Sequence, residues 1–260
     1  MTIATVSLNQ IWENKQANLL LCEEYIKYAS QEKVDLIIFP EMTLTGFSIN
    51  ISSTAEDEED SKSILYFSAL AKKYNMAIIF GVVIKDYDKA LNKCIFINQD
   101  GNVKANYSKI HPFSFSGEDK YFNGGNQLEI VNFNDMNLGL TICYDLRFPE
   151  LYAGLAKESD VLINIANWPK KRVDHWDTLL KARAIENQIF VLGVNRIGID
   201  GNNLEYQESS NVFNANGEKV EYNSFKDMKI FKIDKNFTTD FKSKFNTTND
   251  RKIKLYKDII

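Results

Sequence analysis

The chain has 260 residues, of which 44% are hydrophobic and 25% charged, and 31 Lys and Arg against 35 Asp and Glu leave a formal net charge of −4. This balance is typical of an ordinary globular protein and lacks the broad basic surface of nucleic-acid-binding proteins, so we expect no nucleic-acid partner. No apolar run approaches the roughly 20 residues that cross a bilayer, so we expect no membrane partner.

The first third of the chain alternates strand-like and helix-like segments. The N-terminal residues lead directly into a predicted strand at 5–11 without a signal-peptide pattern, so a cytoplasmic location is the simplest expectation. A strand at 36–39, a helix ending near residue 74 and a strand at 77–84 complete a βαβαβ pattern, which predicts an α/β core. The first helix has a predicted apolar face formed by Ala17, Leu20, Leu21, Tyr25 and Tyr28.

Two pairs of segments have the pattern of antiparallel hairpins. Strands predicted at 92–98 and 102–109 flank Asp100-Gly101, and strands predicted at 210–213 and 219–222 flank Asn216-Gly217. Both dipeptides favour tight turns because they tolerate positive φ, so we expect mixed sheets.

The rest of the chain continues the α/β alternation after one long loop. Residues 110–127 show no clear periodicity, and loops of this length in compact domains are usually functional or disordered. Strands at 138–143, 161–166 and 189–194 then alternate with helices at 149–157 and 174–187. Without repeats or linkers, we expect one domain over residues 1–260, with a core at about 3–233 and a C-terminal tail at about 234–260.

Three predicted strands end at a polar side chain. Glu41 follows the strand at 36–39, Lys109 ends the strand at 102–109 and Cys143 ends the strand at 138–143. Ligands bind at the carboxyl ends of strands in α/β sheets, so these side chains can converge. A carboxylate can take the proton of a thiol, while an ammonium group favours the thiolate and stabilises an oxyanion. The trio suits hydrolysis of an amide-like carbon through a thioester.

Each of the three also has an ordinary structural interpretation. Cys143 can be a small core residue, and Glu41 or Lys109 a solvated surface charge, so only the combination favours catalysis. The three cysteines are widely spaced and only two histidines are present, which predicts neither a disulfide framework nor a metal site. The proposed chemistry needs no metal and no organic cofactor.

The segments around these residues resemble the three signature blocks of the nitrilase, or carbon–nitrogen hydrolase, superfamily. The likeness extends from Ile3 to about Ile233. It implies an α/β fold, a four-layer αββα sandwich, and a homodimer or larger assembly. The blocks read Phe39-Pro40-Glu41 with Gly46-Phe47, Lys109-Ile110-His111, and Cys143-Tyr144-Asp145-Leu146-Arg147-Phe148-Pro149-Glu150.

The resemblance also implies roles for individual side chains. By motif position, Glu41 is the general base, Lys109 the oxyanion stabiliser and Cys143 the nucleophile. Members often carry a second glutamate in the loop after the lysine block, and Glu118 is the best match, with Asp119 beside it.

Within the superfamily, the chain is most similar to the ω-amidases that act on 2-oxoglutaramate and 2-oxosuccinamate. Such substrates need a cation for their carboxylate, and Arg147 is the first candidate because an arginine grips a carboxylate with two hydrogen bonds. Arg172 is the second candidate. Alternatively, Arg147 pairs with a neighbouring acid, Asp145 or Glu150. The segments that carry the likeness are Ala166-Asn167-Trp168-Pro169, His175-Trp176, Arg183-Ala184-Ile185-Glu186-Asn187-Gln188 and Asn195-Arg196-Ile197-Gly198-Ile199-Asp200-Gly201.

Aromatic side chains complete the predicted substrate pocket. We expect Phe113, Tyr144 and Trp168 to line it. The long loop carries a set of aromatic residues that either packs the loop down or walls the pocket: Phe113, Phe115, Tyr121 and Phe122.

Arg183 and Glu186 are three residues apart on a predicted helix. This spacing favours an ion pair over a role in substrate binding.

The leading hypothesis is an amidase that hydrolyses the terminal amide of short 2-oxo dicarboxylic acid monoamides through a cysteine thioester, with the small amide and water as its partners. The same triad can instead act on another linear amide or a carbamoyl compound, such as deaminated glutathione or an N-carbamoyl amino acid. A non-catalytic scaffold and a redox sensor at Cys143 are the remaining hypotheses.

Overall fold

A computed structural model describes residues 1–258, so residues 259 and 260 of the predicted tail lie outside the described residues. The strands are β1 (Thr2–Val6), β2 (Leu36–Ile38), β3 (Ala77–Asp86), β4 (Lys89–Ile97), β5 (Val103–Ser108), β6 (Ile130–Phe133), β7 (Met136–Ile142), β8 (Val161–Ala166), β9 (Phe190–Asn195), β10 (Gly198–Ile199), β11 (Glu205–Tyr206), β12 (Asn211–Phe213), β13 (Tyr222–Phe225) and β14 (Met228–Lys232). The helices are α1 (Lys15–Gln31), α2 (Ile51–Thr54), α3 (Lys62–Tyr74), α4 (Pro149–Leu155), α5 (Val173–Asn187), α6 (Lys235–Lys244) and α7 (Ile253–Tyr256).

Two mixed sheets form the centre of the molecule. The first has the strand order β13-β14-β1-β2-β3-β4-β5 and the second has the order β12-β9-β8-β7-β6. Strands β1, β2 and β3 run parallel in the first sheet, as do β7, β8 and β9 in the second, and the flanking strands are antiparallel. A small ribbon pairs β10 with β11. The predicted mixed pairing is confirmed.

Alternation of side chains along the strands produces four layers. In β2, Leu36 and Ile38 pack between the sheets, whereas Ile37 packs against helices on the outer face. Helices α1 and α3 cover the first sheet, and α4 and α5 cover the second. The result is the αββα sandwich that the resemblance implied.

The first strand lies three residues earlier than predicted. Residues 7–11 leave the sheet because Gln10 turns inward. Its side-chain amide donates to the carbonyl oxygens of Glu41 and the next two residues at 2.9, 3.0 and 3.2 Å. This segment therefore supports the loop that carries Glu41.

Helix α1 is rotated relative to the predicted apolar face. Leu20 is 59% exposed. The side chain of Asn18, instead, is buried and donates to the carbonyl oxygens of Ile11 and Leu44 at 2.7 and 2.8 Å. These bonds fix which face of the helix meets the sheet. The buried residues are Asn18, Cys22, Tyr25, Ile26 and Ala29.

The two predicted hairpins differ in outcome. Gly101, at φ 82°, lies in the turn that joins β4 to β5, as expected. Gly217 also has a positive φ, but the expected strand at 219–222 is absent: Lys219 forms a single bridge with Phe213, and Tyr222 already begins β13. The sequence pattern does not predict β6, β10, β11, β13 or β14, because these short, partly exposed strands lack long apolar runs.

The segment after β14 packs against the start of β9. Phe237 of α6 contacts Phe190 at the start of β9, with ring centroids 5.8 Å apart. Within residues 1–258, no helix combines the length and apolar character that a membrane span requires.

Candidate active site

Glu41, Lys109 and Glu118 form one buried charge cluster. The Nζ atom of Lys109 lies 2.9 Å from Oε1 of Glu41 and 2.9 Å from Oε2 of Glu118. The three residues are at most 1% exposed. Glu41 follows β2, Lys109 follows β5, and Glu118 lies in a short 3-10 turn of the long loop. Asp119, the alternative to Glu118, is exposed.

Two asparagines that the sequence analysis did not select hold this cluster in place. The side-chain amide of Asn92 donates to Oε1 of Glu41 at 2.8 Å and to Oε1 of Glu118 at 3.1 Å. The backbone N–H of Asn167 donates to Oε2 of Glu41 at 2.9 Å. Both oxygens of Glu41 are therefore fixed. The sequence feature that could have indicated this role is the position of Asn92 inside an apolar strand, where asparagine is uncommon.

The loop that carries Glu41 lies directly against strand β3. A Cβ atom at Gly81 would lie 2.3 Å from the backbone nitrogen of Met42, so only glycine allows this approach. The backbone N–H of Gly81 also donates to Oγ1 of Thr43 at 2.9 Å. This contact sets the height of Glu41 above the sheet.

Cys143 begins a 3-10 turn, Cys143–Arg147, at the end of β7. Its φ of 45° is left-handed, a conformation that costs an ordinary side chain about 1–2 kcal/mol. Its side chain is partly exposed, whereas Cys22 and Cys94 are fully buried. The only accessible thiol among residues 1–258 is therefore the predicted nucleophile.

Asp145 connects the turn of Cys143 to the strand end that carries Lys109. The buried carboxylate accepts hydrogen bonds from the backbone N–H of Ile142 at 3.0 Å and from the hydroxyl of Tyr107 at 2.8 Å. It also accepts from the backbone N–H of His111 at 3.0 Å and contacts Nδ1 of its ring at 2.8 Å. One side chain thus fixes two of the three blocks relative to each other.

The charges of the cluster affect the pKa values of Lys109 and Cys143. Burial alone would lower the pKa of Lys109, but the negative charges of Glu118 and Glu41 outweigh it and raise this pKa well above its usual value. Burial, followed by the charge of Glu41, raises the pKa of the Cys143 thiol, and the nearby Lys109 only partly offsets the rise. The lysine is therefore cationic and the resting thiol protonated at neutral pH.

The five predicted substrate-binding residues all line one cleft with Cys143 and Lys109. The cavity is small, about 60 Å³, and its walls are mainly apolar. The predicted residues are Phe113, Tyr144, Arg147, Trp168 and Arg172. Further lining residues, which the sequence analysis did not select, are Phe47, Ser116, Asn167, Pro169, Leu204 and Tyr206.

The two arginines of the cleft lie on aromatic rings. The guanidinium carbon of Arg147 is 4.8 Å from the ring centre of Trp168, and that of Arg172 is 5.6 Å from the ring centre of Phe113. Within the described chain, neither arginine forms an ion pair with a carboxylate. The alternative pairing of Arg147 with Asp145 or Glu150 is therefore not observed, and both cations face the cleft without a counter-charge.

The aromatic set of the long loop divides between the two expected roles. Phe113 walls the cleft, and Phe122 is buried in a small cluster with Met42 that holds the loop down. Phe115 is 86% exposed and Tyr121 41% exposed, so they do neither.

Arg183 forms the predicted ion pair with Glu186, at 3.1 Å. It also makes an unexpected contact, in which Nη2 and Nε donate to the carbonyl oxygen of Leu146 at 2.8 and 3.2 Å. Leu146 belongs to the turn of Cys143. The described residues contain no cluster of His, Cys, Asp and Glu side chains arranged for a metal ion.

Comparison with known proteins adds family evidence to this geometry. The sequence model of the carbon-nitrogen hydrolase family matches residues 2–240. The chain is 34% identical over 208 residues to "Omega-amidase YafV" of Yersinia enterocolitica, covering 80% of this chain and 79% of that protein. It is 32% identical over 238 residues to the "2-oxoglutaramate amidase" of Paenarthrobacter nicotinovorans, covering 86% of this chain and 80% of that protein.

A solved structure has a very similar fold. XC1258 from Xanthomonas campestris, described as a CN-hydrolase superfamily protein with an arsenic adduct in the active site, superposes with a TM-score of 0.90 at 28% identity. The match covers 96% of this chain and 97% of the other.

Proposed function

This chain belongs to the carbon–nitrogen hydrolase family and is a hydrolase of amides, and we propose that it releases ammonia from the terminal amide of short 2-oxo dicarboxylic acid monoamides such as 2-oxoglutaramate and 2-oxosuccinamate. The observation that carries the proposal is the pair of arginines without a counter-charge, Arg147 and Arg172, in the cleft that holds Cys143. The names of the two amidases to which the chain is similar support the same substrate class.

The first half of the proposed reaction forms a thioester. The thiol of Cys143 is protonated at rest, so it needs a base at the moment of attack, and the buried carboxylate of Glu41 accepts this proton. The sulfur then bonds to the amide carbon. Lys109 and the backbone N–H of Tyr144 stabilise the resulting oxyanion. The C–N bond breaks as the protonated Glu41 returns its proton to the leaving nitrogen, which departs as ammonia.

The second half releases the acid. Water enters the space that ammonia leaves, Glu41 takes one of its protons, and the oxygen attacks the thioester carbon. A second oxyanion forms on the same donors. The C–S bond breaks, the sulfur regains its proton from Glu41, and the carboxylic acid product leaves. Glu118 does not take part in proton transfer in this scheme, but holds Lys109 as a second carboxylate partner beside Glu41.

The arginines supply selectivity for a substrate that carries a carboxylate. An arginine binds a carboxylate through two parallel hydrogen bonds, which fixes the direction of the substrate as well as its position. With that end held, the terminal amide at the far end reaches Cys143. Phe113, Tyr144 and Trp168 form apolar walls that keep the chain of the substrate extended and limit its length.

The test measures ammonia release from 2-oxoglutaramate by the wild-type protein and by Cys143→Ala. We expect turnover by the wild type, a thioester adduct of the acyl mass at Cys143 under rapid quenching, and loss of activity by at least about 10⁴-fold in the variant. Activity retained in Cys143→Ala would overturn the thioester mechanism. As a control, circular dichroism must show that Cys143→Ala is folded.

A panel of linear amides tests the substrate class separately. Succinamate, which lacks the 2-oxo group, and N-carbamoyl amino acids represent the alternative substrates for the same three residues. Preference for either by kcat/KM would reject the 2-oxo acid assignment and leave the thioester chemistry in place. A panel with no active member, together with a Cys143 that still forms sulfenic acid readily, would support the redox-sensor hypothesis instead.

The assembly and location of the protein are also proposals. We propose a homodimer or larger assembly, as the family resemblance implies, and light scattering coupled to size-exclusion chromatography measures the mass directly. We propose a cytoplasmic location because the three cysteines are free thiols, which suits a reducing compartment. Fractionation of cells that express a tagged chain tests this.

A further inference from the structure

The stretch at 245–251, which we name the C-terminal clasp, binds the end of helix α5. The side-chain amide of Gln188, the residue after α5, donates to the carbonyl oxygen of Phe245 at 2.7 Å and accepts from the backbone N–H of Thr247 at 2.9 Å. Arg251 donates from Nη2 to the carbonyl oxygen of Glu186 at 3.1 Å and to Oδ1 of Asn187 at 2.9 Å. The clasp therefore holds both the backbone and a buried side chain of the last turn of α5.

The held side chain continues the connection into the protein. Asn187 is fully buried, and its Nδ2 donates to the carbonyl oxygen of Arg183 at 2.9 Å and to Oε1 of Glu186 at 3.3 Å. Glu186 in turn accepts from Nη1 of Arg183. Arg251, Asn187 and Arg183 thus form a continuous series of hydrogen-bonded side chains and backbone groups.

The series ends on the turn of the nucleophile. Nη2 and Nε of Arg183 grip the carbonyl oxygen of Leu146, and both residues are nearly or fully buried. Leu146 is three residues after Cys143 and directly precedes Arg147. Carbonyl groups at the end of a helical turn lack partners within that turn, so an external donor fixes where the turn lies. A charged donor with two bonds fixes its direction as well.

Arg183 also contacts a second group of residues that supports the turn. The guanidinium group of Arg183 lies over the ring of Tyr152, at 5.5 Å. The hydroxyl of Tyr152 bonds to Thr141 and accepts from the amide of Asn164, which reaches the carbonyl oxygen of Cys143 at 3.5 Å. Arg183 is thus connected to both ends of the turn, directly at Leu146 and through Tyr152 and Asn164 at Cys143.

We propose that Arg183 is a positioning residue for Cys143 and Arg147, and that the C-terminal clasp sets its position through Arg251 and Asn187. The proposal rests on the proposed roles of Cys143 as nucleophile and Arg147 as substrate-binding cation. It gives the C-terminal segment a part in catalysis, although no residue of the clasp lines the cleft. Small displacements of a nucleophile cost large factors in rate, so a remote contact can matter in this way.

The test compares Arg251→Ala with Lys252→Ala, a matched control at the adjacent exposed position. We measure kcat and KM for amide hydrolysis, the rate at which iodoacetamide alkylates Cys143, and the unfolding midpoint. We expect Arg251→Ala to lower kcat about 3- to 30-fold and to change the alkylation rate, while Lys252→Ala matches the wild type. A change in the unfolding midpoint alone, with kcat and alkylation as in the control, would overturn the proposal.

Arg183→Lys tests the inner end of the series without removing its charge. A lysine cannot make two parallel bonds to one carbonyl, so we expect kcat to fall about 10- to 100-fold and KM to rise. In the double variant with Arg251→Ala, a loss close to that of Arg183→Lys alone supports one connected series. Losses that multiply would show independent effects and reject it.

Two further variants keep the result interpretable. If Arg251→Ala fails to fold, Arg251→Met removes both hydrogen bonds of Nη2 with a smaller loss of packing, and the same readouts apply. Cys143→Ala separates the two proposals. Activity retained in Cys143→Ala rejects the proposed role of Cys143 as nucleophile. If Cys143→Ala is inactive but Arg251→Ala and Arg183→Lys behave like the wild type, only the positioning role of Arg183 is rejected.

Discussion

The cleft contains two groups of cations in opposite environments. Lys109 is buried and lies between two carboxylates, which hold its charge and its position. Arg147 and Arg172 are partly exposed, lie on aromatic rings and have no carboxylate partner in the described chain. The cation at the floor of the cleft is thus paired with carboxylates, whereas the two cations at its mouth are not.

Under the proposed function, this difference separates the residues of the chemical step from those of substrate recognition. A buried ammonium group that is already paired adds no net positive charge for a substrate anion, but it stays in place while an oxyanion develops beside it. A guanidinium group on an aromatic surface without a carboxylate partner is ready for a substrate carboxylate, because no internal ion pair must be broken first. The hydrogen-bond contact of the Arg147 side chain is with Nδ1 of His175, at 3.4 Å. Substitutions in the two regions are therefore expected to affect different kinetic constants.

Within this comparison, the largest expected effect is at Glu41, the proposed base. Glu41→Gln keeps the size of the side chain and can still accept from the N–H of Asn167, but it cannot take a proton from Cys143. We expect kcat to fall about 10²- to 10⁴-fold with little change in KM. Steady-state kinetics measure this, and a loss below about tenfold would show that another group accepts the proton.

Lys109→Met tests, by its effect on stability, how strongly the ammonium group is paired with the two carboxylates. Removal of the ammonium group leaves two buried carboxylates facing each other, which we expect to reduce the free energy of unfolding by about 3–5 kcal/mol. Arg172→Met is the matched control at the mouth and should change stability by no more than about 0.5 kcal/mol. Urea unfolding measures the free energy of unfolding of both variants. Equal losses of stability would contradict the proposed difference between the buried and the exposed cations.

Arg147→Ala tests recognition at the mouth. We expect KM for 2-oxoglutaramate to rise about 10- to 100-fold and kcat to change little, because a charged hydrogen-bonded pair is lost in both the bound substrate and the transition state. An amide without a carboxylate is the control substrate, and its KM should not change. The same pattern in Arg172→Ala would show that both arginines hold the carboxylate, and its absence would assign the role to Arg147 alone.

Glu118→Gln tests how the charge of Glu118 affects the pKa of Cys143. Its charge contributes to the raised pKa of Cys143, so its neutralisation lowers this pKa and increases the thiolate fraction at any pH below it. We expect iodoacetamide to alkylate Cys143 about 3- to 10-fold faster at pH 8, while turnover falls because Lys109 loses one anchor. Slower alkylation would show that Glu118 acts through packing.

The smallest effect is expected at an exposed ion pair beside the mouth. Lys170 and Glu205 lie 2.6 Å apart, and both side chains are about half exposed. Exposed pairs contribute little and are screened by salt, so Lys170→Ala should change kcat/KM less than about threefold, with less effect still in 1 M salt. A larger effect would mean that the mouth depends on this contact for its shape.

The main features of the site were predictable because they follow from local sequence. Glu41, Lys109 and Cys143 each follow the end of a strand, which local sequence indicates. Glu41 and Lys109 belong to the first sheet and Cys143 to the second, however, so it is the packing of the two sheets that brings them to one cleft. Glu118 was harder to place, because only the fold shows which of two adjacent acidic residues turns inward.

The supporting contacts were not predictable in the same way. Gln10 and Asn92 are polar residues in or beside strands, and only the paired sheets show that they point at the loop of Glu41 and not at solvent. Arg183 fits an ion pair with Glu186 by spacing alone, and this pair is present. Its contact with Leu146 joins residues 37 apart in sequence, which depends on how α5 packs against the turn.

The left-handed backbone of Cys143 has a consequence for how this position can evolve. Glycine adopts such a φ without penalty, so Cys143→Gly would remove a steric cost that alanine or serine retains. Selection for folding alone would favour glycine there, whereas selection for turnover retains a side chain. Under the proposed mechanism, a lineage released from its substrate is therefore expected to replace the cysteine early.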